Sequence, residues 1–233
     1  MKLLVLLIFS LFTGGTALKY EHELSPDYNR GLKYLHEHKN QFDRKLKNNG
    51  EKKAILISVV FPEIVRYSLI RDLLETKSLE IGYVSKGSDF VDFSIGHFQM
   101  KPSFLESIEH VIRSSGELSA EYQEIINYPN TNKRALRKSR INRLKSFEWQ
   151  LRYLEAFYAI TLKCHPFLQN KSVQYKVRYV ATAYNHGFLS DKQEIEHWME
   201  QKNYPWGTGV KGEQYAYSRV ARYFYNNHYH EIF

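Results

Sequence analysis

Glu63 closes an apolar run, Ile55-Leu56-Ile57-Ser58-Val59-Val60-Phe61-Pro62. A carboxyl group among such side chains is disfavoured as an anion, so its pKa rises. A carboxyl that keeps its proton near neutral pH can serve as a general acid, which is what breaking a glycosidic bond requires. Val60, Phe61 and the more distant Phe98 are the side chains expected to wall it in. The plain alternative is an exposed glutamate after a helix break. Two later blocks carry groups suited to such a site: Ser94-Ile95-Gly96-His97-Phe98-Gln99-Met100-Lys101-Pro102 and Ala183-Tyr184-Asn185-His186-Gly187. Gly96 permits a close backbone approach or an unusual turn. Gln99 offers a donor and an acceptor, Tyr184 a hydroxyl, and Asn185 an amide that fits an N-acetyl group or caps a helix end.

The elements that must position these groups read mainly as helices. Asp27 to Leu46 carries Tyr28, Leu32, Leu35, Phe42 and Leu46 at helical spacing, with a charged opposite face that places it on the outside of the domain. Glu51 to Phe61 is apolar all round and therefore buried. Pro62 cannot donate to a helix ladder, so a break is expected beside Glu63, with helix resuming from Ile64 to Tyr83. Ser85 to Asp92 reads as a loop, and Phe90 to Phe98 as a short extended stretch. Helices are expected from Pro102 to Arg113, Ser119 to Ile126, Lys133 to Leu162, Ser172 to Tyr184, Asp191 to Met199 and Glu213 to Asn226. Asn127 to Asn132 and Trp206 to Gly209 read as turns, and Gly187 as a left-handed helix cap.

The ends and the composition narrow the class. Lys2, the apolar Leu3–Phe12 and the small residues Gly15-Thr16-Ala17 form a signal peptide cut after Ala17. That apolar core is too short to span a bilayer, which needs roughly 20 residues. No stable membrane insertion is expected after cleavage. Loss of Lys2 takes the formal charge from +8 to +7, a balance that favours polyanionic partners. Export argues against nucleic acid. The single cysteine, Cys164, cannot form an internal bridge and reads as a buried, inert thiol. His36-Glu37-His38 and His228-Tyr229-His230 place their imidazoles on different sides of a helix, so no metal is expected. The basic run Lys133 to Lys145 reads as a solvated face. Aromatic residues are abundant, with 18 Tyr, 14 Phe and 3 Trp; most belong to a core, and some rings suit a sugar-binding cleft.

Taken in order, these blocks resemble those of soluble lytic transglycosylases and goose-type lysozymes. That family pairs a glutamate ending a buried helix with a Gly-Leu-Met-Gln-x-Met-Pro block, an Ala-Tyr-Asn-Ala-Gly block and a late Glu-Thr-x-x-Tyr-Val-x-x-Val-like helix. Here Glu63 matches the glutamate. Gly96, Gln99 and Pro102 match the second block, with Phe98 and Met100 as its other apolar members. Ala183-Tyr184-Asn185-His186-Gly187 matches the third except at His186. Glu213, Tyr217 and Val220 fit the last. The chain departs from the pattern at Ile64, where the family has serine, at Lys101, where it has methionine, and in a longer gap between Glu63 and Gly96.

The resemblance implies an all-α, lysozyme-like domain over residues 51–233, with a very short β hairpin, after a signal peptide over 1–17 and an N-terminal helical extension over 18–50. It implies a periplasmic enzyme of bacterial wall turnover whose partner is the peptidoglycan glycan strand, with no cofactor. Glu63 would be the catalytic acid and base, and Gly96, Phe98, Gln99, Met100, Tyr184 and Asn185 would bind substrate. Asp89 and Asp92 are the candidates for a second carboxylate, which hydrolysis by a muramidase would use. A glycan-binding module without catalysis is the remaining alternative.

Overall fold

The apolar run that carries Glu63 forms the central helix of an all-α molecule. The computed structural model describes residues 20, 24, 26–46, 50–70, 76–207 and 213–233. The expected signal peptide over 1–17 lies outside the described residues, as do Leu73, Leu74, Thr208 and Gly209. Helix α1 spans Asp27–Lys45 and α2 spans Gly50–Ile70. Ile55, Leu56, Ile57, Val59, Val60, Phe61, Ile64 and Val65 are all buried. A helix apolar on every side needs partners on every side. Here α1, α9 (Val173–His186) and α11 (Tyr217–Phe224) pack around it.

The expected break at Pro62 does not occur: α2 runs through it, and Glu63 sits inside the helix rather than at its end. An internal proline costs roughly 3 kcal/mol. Burying side chains such as Val60, Phe61 and Ile64 returns about 1.5–3 kcal/mol each, so packing outweighs local preference. Phe61 stacks on Phe224 with ring centroids 4.1 Å apart and takes the edge of Tyr28 at 5.0 Å. Two helix carbonyls beside the proline have partners from far along the chain. Tyr217 donates its hydroxyl to the Val59 carbonyl at 2.9 Å, and Tyr204 donates to that of Pro62 at 2.7 Å.

Helix α1 shares the core rather than lying outside it. Tyr28, Leu35 and Phe42 are fully buried, and Gly31 admits α2 so closely that a Cβ there would fall 2.9 Å from Val65 Cγ2. After α2, helix α3 spans Thr76–Lys86; residues 71–75, inside the expected Ile64 to Tyr83 helix, lie outside the described residues. Extended structure before the Pro102 helix is limited to one antiparallel bridge, Ile95 to Met100.

The second layer holds α4 (Pro102–Arg113), the short α5 (Gly116–Glu121) and α6 (Gln123–Ile126), α7 (Lys133–Lys145) and α8 (Phe147–Cys164). The expected single helix from Lys133 to Leu162 is two helices, divided at the extended residue Ser146. The basic run is only partly a solvated face. Arg143 is buried, donates to the carbonyls of Glu124, Ile125 and Asn127, and lies between the rings of Tyr128 and Trp149. Arg140 forks onto the fully buried Glu109 and also reaches Glu106 at 2.8 Å. Burial pulls the Arg140 guanidinium down, but its pairing with Glu109 and Tyr83 holds it above its ordinary value. A buried charge survives only with such partners.

A 3-10 turn over Pro166–Asn170 leads to α9, then α10 (Lys192–Trp198). Gly187 ends α9 with φ 160°, an extended conformation rather than the expected left-handed cap. Strands β1 (Lys202–Tyr204) and β2 (Tyr215–Ala216) pair antiparallel, Lys202 with Ala216 and Tyr204 with Tyr215. The closing helix is correspondingly shorter than expected: α11 starts at Tyr217, and a π turn over Tyr225–Tyr229 joins it to α12 (His230–Ile232). Cys164 is exposed, not buried as expected. No described helix is long and apolar enough to cross a membrane.

Candidate active site

Glu63 projects from the middle of α2 to the floor of a cleft of about 770 Å³. One wall is the Ser94–Lys101 loop with the start of α4; the other is the end of α9 and the turn that follows. Gln99, Met100, Tyr184 and Asn185 all line this cleft with Glu63, so four of the six expected binding residues meet the expected acid.

Gly96 and Phe98 do not line it. Gly96 has φ 72°, and a Cβ there would lie 2.0 Å from Gln150 Nε2. The close approach it permits is to a side chain of the same molecule. Gln150 accepts from the Phe98 N–H at 3.0 Å and donates to the Leu144 carbonyl at 2.5 Å, tying the loop to α7 and α8. The Phe98 ring is fully buried and packs on Phe42 and Phe147. Its contribution to the cleft is its carbonyl, which accepts the Tyr184 hydroxyl at 2.6 Å. Tyr184 therefore spends its proton on the loop.

Gln99 occupies the left-handed region at φ 49°, which costs a side-chain-bearing residue about 1–2 kcal/mol. Its N–H and its Nε2 both donate to the Gly96 carbonyl, at 3.0 and 2.7 Å. Its Oε1 is buried in the cleft lining without a hydrogen-bond partner. That is an acceptor held ready for an incoming donor.

Glu63 is 4% exposed. Burial pushes its carboxyl up to about 7; the Arg66 guanidinium, a hydrogen bond with Tyr217 and the Lys101 ammonium pull the other way without offsetting it. Arg66 Nη1 stands 3.7 Å from Glu63 Oε2, and that oxygen has no hydrogen-bond partner. Tyr217 has one hydroxyl proton and two acceptors within reach, the Val59 carbonyl and the Glu63 carboxylate. When the proton lies on Val59, the tyrosine oxygen is free to accept from a protonated Glu63. Tyr184, Tyr204 and Tyr217 are each raised well above the ordinary tyrosine range, first by burial and then by the Glu63 charge, so all three stay neutral.

The other carboxylates of the cleft are committed. Asp92 accepts from the N–H and hydroxyl of Ser103, at 3.0 and 2.7 Å, and so caps the start of α4. Asp191 caps α10 through the Glu194 N–H, and Glu194 pairs with His186 at 2.8 Å while that imidazole stacks on Trp198. Asp89 does not line the cleft. No group of three or more His, Cys, Asp or Glu suited to a metal occurs among the described residues.

Arg66 and Tyr204 act at this site without any role read from the sequence, and Lys101 and Tyr217 without a role beyond the family pattern. Arg66 lies three residues after Glu63, the spacing of neighbours on one helix face. The expected break at Pro62 hid that signal. Tyr217 was visible only as a match in the late helix. No protein-family model matches the chain, no curated protein matches it, and no solved structure matches it.

Proposed function

We propose that the protein is a peptidoglycan lytic transglycosylase with a lysozyme-like fold, cleaving the β-1,4 bond between N-acetylmuramic acid and N-acetylglucosamine. The observation that carries this reading is one buried, proton-holding carboxyl on the floor of a polar cleft whose other carboxylates are engaged elsewhere. Inverting and retaining glycosidases need a second carboxylate, as base or nucleophile. A transglycosylase needs only one. Glu63 gives its proton to the glycosidic oxygen as the bond from the muramyl anomeric carbon to that oxygen breaks, and the N-acetylglucosamine end leaves as an alcohol. The muramyl acetamido oxygen supports the electron-poor anomeric carbon. The muramyl 6-hydroxyl oxygen then bonds to that carbon, and its proton returns to Glu63. The product is a 1,6-anhydro ring, and no water is consumed.

The residues fit that sequence. Desolvation keeps the acid protonated near neutral pH. Gln99 Oε1 and the Asn185 amide are groups for acetamido and hydroxyl recognition. The test is incubation with purified peptidoglycan and weighing of the soluble products. Anhydro-muropeptides are expected, and Glu63→Gln should lose cleavage by at least about a hundredfold, the scale of a lost general acid. Products heavier by one water would make the protein a hydrolytic muramidase, with Asp92 the carboxylate to examine. Binding without release of fragments would make it a glycan-binding module.

A further inference from the structure

Two cations converge on the Glu63 end of the cleft, and neither has a full set of partners. Arg66 is one-third exposed and meets Glu63 only across 3.7 Å. Its Nε is buried and lacks a hydrogen-bond partner. A guanidinium offers a planar fork of donors matched to a carboxylate, and here that fork is largely unused. Lys101 enters from the wall formed by the Ser94–Lys101 loop, at its end. It is half-exposed, and its nearest carboxylate, Asp92 at 3.9 Å, already takes two hydrogen bonds from Ser103. Both cations line the cleft with Glu63 and act on its charge.

We propose that Arg66 and Lys101 form a carboxylate-binding subsite beside Glu63, and that an occupying carboxylate draws Arg66 out of its pairing with Glu63 so that the acid holds its proton when substrate is present. This rests on the glycan-cleaving reading above and deepens it. The occupant is an anionic substituent carried by the sugar: the free lactyl carboxylate of a muramyl residue that bears no peptide, since in a peptide-bearing strand that carboxyl is an uncharged amide.

The electrostatics follow from what faces Glu63 on each side. From its own helix it meets Arg66; from the loop, Lys101; from α9, β1 and α11 it meets Tyr184, Tyr204 and Tyr217. The tyrosines are neutral, so the cations are the charges that favour its anion. A bound carboxylate cancels part of their field and adds a negative charge of its own. Both effects favour the neutral acid. An occupied cleft thus holds its proton more firmly than an empty one.

The test compares N-acetylmuramic acid with its methyl ester, which keeps the sugar and removes the charge. Neither monosaccharide contains a bond to cleave. Binding to the wild-type protein is followed by NMR, and proton exchange by calorimetry at pH 7 in buffers of different ionisation enthalpy. The acid is expected to bind about tenfold more tightly than the ester and to take up protons on binding. Arg66→Met and Lys101→Met should each reduce that preference while leaving affinity for the ester within about twofold. Equal affinity for acid and ester, or binding of the acid without proton uptake, would overturn the subsite. Neither result would touch the glycan-cleaving reading if anhydro-muropeptides are still released. The ester comparison uses the wild-type protein, so the outcome stands even if a variant does not fold.

Discussion

Replacing Glu63 by glutamine should make the protein more stable at alkaline pH and leave it almost unchanged in acid. The folded protein holds this carboxyl at about 7, against an ordinary value of 4.5. A group raised in the folded state contributes stability that is complete below its unfolded value and is lost as pH rises through the folded one. The window is therefore about pH 4.5 to 7. Across it the wild type should lose on the order of 3 kcal/mol, at about 1.4 kcal/mol per pH unit. Glutamine has nearly the shape of the protonated acid and does not titrate. The stability difference between variant and wild type should thus be small near pH 4 and grow by on the order of 3 kcal/mol by pH 8, roughly 6–12 °C in Tm. Chemical denaturation at several pH values measures it, and groups common to both proteins cancel in the difference. Parallel stability curves would refute the reasoning, because they would mean that Glu63 titrates as an exposed glutamate does.

Two further substitutions probe the scaffold of the site. Gly96→Ala should destabilise the protein by about 2–4 kcal/mol, since a Cβ there would stand 2.0 Å from Gln150 Nε2 and force apart the buried hydrogen bonds that hold the loop; an unchanged unfolding midpoint would contradict the packing described. Tyr217→Phe removes a hydrogen bond that lowers the Glu63 value, so the alkaline limb of the cleavage rate should move to higher pH, with about 1 kcal/mol of stability lost with its hydrogen bond to the Val59 carbonyl. A limb that moves to lower pH would show that the hydroxyl acts on Glu63 in the opposite sense.

Much of this architecture was readable from periodicity and composition. The apolar run from Ile55 to Phe61 had to be buried, and its burial is what perturbs Glu63. The meeting of Gln99, Met100, Tyr184 and Asn185 with Glu63 is what the resemblance of the blocks implies, and the four line one cleft with it. Where the fold departs from local preference, tertiary packing is the cause. Pro62 signals a break in an isolated helix, but α2 is enclosed on all sides and continues. Arg140 and Arg143 look like solvent-facing charges until Glu109 and three backbone carbonyls are brought to them. Gly96 looked like room for a ligand; the room is taken by Gln150, whose side chain arrives from more than fifty residues away. Such pairings leave no periodic trace in a single sequence.

The two tyrosines that hold the carbonyls beside Pro62 come from 142 and 158 residues further along the chain. They also help enclose Glu63. A chain still lacking its last thirty or so residues has neither, so the enclosure of its carboxyl is incomplete. The full perturbation of this carboxyl is then a property of the finished chain, completed when the C-terminal segment docks. Contacts of such long sequence separation are slow to form, so this enclosure is completed late in folding.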